Sequence, residues 1–81
     1  MEAMMSASDD LREMIDILTI AIAREEYEER FFRRSSRACR NEVACKMFDE
    51  IAGEFDSHCK SLESRKKVLM AALEDIARSQ Q

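Results

Sequence analysis

Almost nothing in this chain opposes a helix. Among its 81 residues there is no proline, and the single glycine, Gly53, stands inside a run of helix formers. Proline removes a backbone donor, and glycine costs about 1 kcal/mol in a helix interior, so their scarcity lets a helix run until something polar stops it. The one plausible stop before the C-terminus is Arg40-Asn41-Glu42, where asparagine either ends one helix or caps the next. A weaker break around Ser61 to Ser64 has neither glycine nor proline to enforce it. Strand and hairpin signals are missing. The chain is therefore expected to be all-α and one domain over 1–81, with helix one at about 9–39, a turn at 40–42 and helix two at about 43–78. Ser6-Ala7-Ser8-Asp9-Asp10 offers cap oxygens and early negative charge for a start near Ser8 or Asp9. The first few residues and Ser79-Gln80-Gln81 are expected to fray.

Each predicted helix carries a seam spaced alternately by four and three residues, the pattern of a buried helix face. In the first half it reads Leu11, Ile15, Leu18, Ile22, Glu25, Glu29, Phe32, Ser36, Cys39. In the second it reads Ala44, Phe48, Ile51, Phe55, His58, Leu62, Arg65, Leu69, Ala72, Ile76, widened by Val43, Met47 and Leu73. A carboxylate and an imidazole stand in mid-seam, Glu25 and His58. Such groups are seldom placed in a core without a partner.

Two long helices joined by a short turn form an antiparallel hairpin, which acts as a ruler. With the turn centred near Asn41, Glu25 faces position 57, beside His58, and Glu28 and Glu29 fall level with Gly53 and Glu54. This layer lies about 24 Å from the turn at the helical rise per residue. The charge pattern points to the same layer. Glu26 has Arg30 and Glu29 has Arg33 four residues on, while Arg24 precedes Glu28; Glu25 has only Glu28 and Glu29 nearby on its own helix. Glu54 stands between Glu50 and His58. Two carboxylates without intrahelical cations, together with an imidazole, make a donor set that a divalent ion would neutralise. Gly53 beside them leaves room for another backbone or a local bulge.

The remaining features fit plainer roles. Glu28 and Glu29 read as seam-edge acids and Tyr27 as a packing residue. The Met1, Met4, Met5 group reads as a loose terminus, and Glu63, Arg65, Lys66 and Lys67 as a solvated face or an interchain salt-bridge zone. Cys39, Cys45 and Cys59 are odd in number and lack close paired spacing, so they read as reduced thiols filling small gaps, with Cys39 and Cys45 flanking the turn. A net charge of −4 with interleaved signs argues against nucleic acid as a partner. No apolar run approaches the roughly 20 residues that cross a bilayer, and the N-terminus lacks a secretion pattern, so no membrane partner and a cytoplasmic location are expected, unless the protein is packaged in a larger compartment. A chain this short buries only about 60% of its unfolded surface when folded alone, which makes self-association the expected remedy.

At these residues the chain resembles a known pattern. Ala21-Ile22-Ala23-Arg24-Glu25 followed by Phe31-Phe32 looks like the first metal-binding helix of rubrerythrin-like proteins of the ferritin superfamily. Phe48-Asp49-Glu50-Ile51-Ala52-Gly53-Glu54-Phe55-Asp56-Ser57-His58 looks like their second helix, which ends in a Glu-x-x-His ligand motif. The resemblance spans about Asp16 to Glu63 and supplies two helices where the full domain has four. It implies a half-size protein of the encapsulated-ferritin type, a hairpin that homodimerises into a four-helix bundle. Glu25, Glu54 and His58 would then be metal ligands, with iron as cofactor, a ferroxidase or iron-storage role, and an enclosing protein shell as a further partner. One position departs from the pattern: the family's glutamate, three residues before the histidine, is here Phe55, and the carboxylate is Glu54. The competing expectation is a metal-free helical dimerisation module that keeps the bundle, with Glu25 and His58 as a buried pair fixing register. A heptad-driven coiled-coil tether is a third.

Overall fold

A computed structural model describes residues 6–80. It contains two helices, α1 (Ala7–Ala38) and α2 (Glu42–Ser79), of 32 and 38 residues, and no strand among the described residues. Met1, Met4 and Met5 lie outside the described residues, as does the last residue of the tail.

The ends of both helices follow from side-chain chemistry. Ser6 caps α1, its Oγ accepting from the Asp9 N–H at 3.2 Å, so the helix begins one or two residues earlier than the expected Ser8 or Asp9. Asn41 caps α2: its Oδ1 accepts from the Ala44 N–H at 3.0 Å. Of its two possible roles at the break, it therefore takes the second. α1 ends where Cys39 turns extended. α2 then runs without interruption through Ser61 to Ser64 and through Gly53, so neither the weaker break nor a bulge forms. A Cβ at Gly53 would meet nothing within 4 Å.

The helices pack against each other as an antiparallel hairpin of 59 × 28 × 12 Å. On α1 the expected seam is the one used, with every member from Leu11 to Cys39 at least half-buried. On α2 the contact is displaced to one side. The buried residues among those described are Ala52, Cys59 and Leu62, with Phe48, Phe55, Leu69, Leu73 and Ile76 half-buried around them. Val43, Met47, His58 and Arg65, all expected on or beside the seam, are exposed. The apolar stripe of α2 is wider than one partner helix can cover. Close approach is easiest over the small side chains of Ala52 and Cys59, and settling there leaves the other edge of the stripe open.

Aromatic and polar ties fix the half of the hairpin nearest the turn. The Phe32 ring stacks on Phe55 at 5.7 Å and 13°, lies 6.0 Å from Phe48, and meets the edge of Phe31 at 5.3 Å. The Ser36 hydroxyl donates to the Cys45 carbonyl at 3.0 Å, and Arg33 reaches across to Asp49 at 2.7 Å while also facing Glu29 at 3.6 Å. Of the expected intrahelical pairs only Glu29 with Arg33 forms; Glu26 turns instead towards Cys59 and Glu63.

Candidate functional site

One cross-helix polar contact occupies the face left open by the displaced packing. His58 Nδ1 and Glu25 Oε1 lie 3.0 Å apart. An ionised carboxylate only accepts, so the imidazole carries its proton on Nδ1 and keeps its Nε2 lone pair free when neutral. Glu25 is the better buried partner, its side chain 20% exposed against 55% for His58. The second carboxylate oxygen of Glu25, Oε2, is buried and has no hydrogen-bond partner. Leaving such a group unpaired costs about 1–3 kcal/mol.

Residues separated by 33 positions meet here because the turn sets them at one height, as the hairpin ruler requires. Glu54 lies on the rim of the same shallow cleft with Ile51 and Phe55, but it is exposed, and the donor atoms of Glu25, Glu54 and His58 do not gather within 4.8 Å of one another among the described residues. Within one chain the converging pair is therefore Glu25 and His58, with Glu54 beside them. Phe55 reaches the cleft edge while its ring stacks on Phe32, so the position where the family pattern carries glutamate is used here for packing.

Towards the open end of the hairpin the same face continues as apolar surface. Ile17, Ile20, Ala21 and Arg24 adjoin Glu25, and beyond them Met14, Ile17, Leu18, Val68 and Leu69 line an almost wholly apolar groove edged by Arg65. Met14, Ile17 and Val68 are exposed.

On the opposite face a second group of ligand-capable atoms was not foreseen as a unit. Glu26, Cys59 and Glu63 bring a carboxylate oxygen, Sγ and a second carboxylate oxygen within 4.8 Å of one another. The Cys59–Glu63 half was legible as an i, i+4 pair, but Glu26 enters only through the rotation of α2. The Cys59 thiol donates to Glu63 Oε1 at 3.5 Å. Burial, then the Glu63 carboxylate, then the charges of Glu26 and Asp56, push it up to about 11. It is a protonated, hydrogen-bonded core thiol at neutral pH.

All three cysteines are free thiols in the structure. No helix among the described residues is long and apolar enough to cross a membrane. No family model, curated protein or solved structure matches the chain.

Proposed function

We propose that this protein is a ferritin-like metal-binding protein, in which two hairpins pair over the open face to form a four-helix bundle and iron is held at the layer of Glu25 and His58. The observation that carries this reading is the unpartnered, buried Oε2 of Glu25 beside an imidazole whose Nε2 is free. Histidine ligands commonly donate their other ring nitrogen to a carboxylate, which fixes tautomer and orientation. Glu25 does this through Oε1 and keeps Oε2 for a cation. One chain offers too few convergent donors for a closed site. A second copy would bring another Glu25 and His58, and Glu54 on the cleft rim would add charge. Carboxylate and imidazole donors suit Fe(II), whose chemistry with oxygen or peroxide would supply ferroxidase or storage activity. The resemblance of residues 16–63 to rubrerythrin-like helices supports the same reading.

The test is aerobic Fe(II) loading of the native oligomer, followed by metal analysis and native mass. Bound iron in fixed ratio to an even number of chains is expected, and it should be lost in both Glu25→Ala and His58→Ala. No iron after loading, or uptake unchanged in both variants, overturns the reading.

Phe55 favours a second reading. Its ring is committed to Phe32, in the position where the family pattern has a ligand. On this reading the bundle is a metal-free interaction module, and the Glu25–His58 pair fixes the register of its helices. It predicts dimers without stoichiometric metal, in which the two alanine variants alter stability or register alone.

A further inference from the structure

The neck of the hairpin holds two cysteines on one carbonyl. The Cys39 Sγ–H donates to the Asn41 carbonyl at 3.2 Å, and the Cys45 N–H donates to the same oxygen at 2.9 Å. One turn before Cys39, the Ser36 hydroxyl holds the Cys45 carbonyl at 3.0 Å. The end of α1 is thus tied to the start of α2 at two points, the Asn41 and Cys45 carbonyls, with a cysteine on each side. Both side chains are half-buried, so small reagents reach them, whereas Cys59 is buried far along α2.

We propose that Cys39 and Cys45 form a peroxide-responsive dithiol that closes into an intramolecular disulfide across the hairpin neck. The thiolate of one cysteine attacks a peroxide oxygen, giving a sulfenic acid and releasing the other oxygen as water once protonated. The second sulfur then attacks the sulfenic sulfur and expels a second water. Two thiols and one hydrogen peroxide become one disulfide and two waters, the sulfurs losing two electrons and the peroxide gaining them. The two side chains also interact: the Cys45 thiol is pushed up to about 11, first by a hydrogen bond with Cys39 and then by burial. The fold already holds the two residues together, so little chain entropy is lost on closing the bond. This inference does not depend on iron binding.

The sequence makes the test direct. Trypsin cuts after Arg37, Arg40 and Lys46, which separates Ala38-Cys39-Arg40 from Asn41-Glu42-Val43-Ala44-Cys45-Lys46. The reduced full chain is treated with hydrogen peroxide, quenched with catalase, alkylated in guanidine and digested. The expected product is these two peptides joined by a disulfide, with Cys59 recovered alkylated and the monomer mass lowered by about 2 Da. The melting temperature of the oxidised protein should rise by about 10 °C, a gain reversed by dithiothreitol and preserved in Cys59→Ser. Three results overturn the proposal: both thiols unreacted at a peroxide concentration that converts free cysteine to cystine; oxidation that stops at sulfinic acid or links separate chains; or the same mixture of pairings, including Cys59, from native and guanidine-unfolded protein. These readouts need only the wild-type chain, so they stand even if Cys39→Ser or Cys45→Ser fails to fold.

Discussion

Glu25 makes one hydrogen bond and leaves one buried oxygen without any, an arrangement that stability alone would not select. Replacing it with leucine removes the orphaned oxygen and adds apolar surface at a half-buried position. His58, more than half exposed, can give its Nδ1 proton to water instead. Glu25→Leu is therefore expected to stabilise the metal-free protein by about 1 kcal/mol in urea unfolding and, if the proposed iron site exists, to abolish iron uptake. A loss of stability would show that the carboxylate serves the fold. The Cys59 thiol gives a second prediction. Its folded value of about 11 lies above the roughly 8.5 of an unfolded thiol. Between these values the unfolded chain has shed a proton that the folded chain keeps, so unfolding is increasingly favoured as pH rises. This contribution is fully present below about pH 8.5 and is lost as pH climbs through 11. Thermal melts of the wild type and of Cys59→Ala across this range should diverge, with the shallower slope in the variant. Glu25 and His58 were legible as a pair because two seams and one turn fix their heights. The exposure of His58 was not, since periodicity gives the width of a stripe without saying which part the neighbour covers.

At the scale of the element, both helices were legible to within a residue or two, because the only effective stop signals are the Ser6 and Asn41 side chains. The rotation of α2 was not. It depends on Ala52 and Cys59 being small enough to admit α1, a tertiary preference that hydrophobic spacing does not encode. Gly53 belongs to this scale too. It is helical, does not take a positive φ, and faces open space where a Cβ would stand. Gly53→Ala is expected to raise the stability of the hairpin by about 0.5–1 kcal/mol, measured by chemical denaturation. If the protein self-associates and the variant instead abolishes that association, the glycine is kept for the close approach of another chain.

As a whole molecule the hairpin is thin, 12 Å in its shortest dimension, with three buried residues among those described and a run of exposed apolar side chains on one face. A core of this size supports little stability by itself. If two copies pair over that face, the melting temperature should climb with protein concentration, and Ile17→Glu or Val68→Glu in the apolar groove should remove that dependence and give monomers by native mass. A concentration-independent melt of a monomeric wild type would contradict self-association. The short neck between Cys39 and Asn41 also governs the order in which the hairpin assembles. Contacts nearest the turn, such as Ser36 with Cys45 and Arg33 with Asp49, close the shortest loops and cost the least chain entropy, so folding zips from the neck towards the open end. Fraying is expected to run in reverse, with the groove lined by Met14 and Val68 loosening before the Glu25–His58 layer.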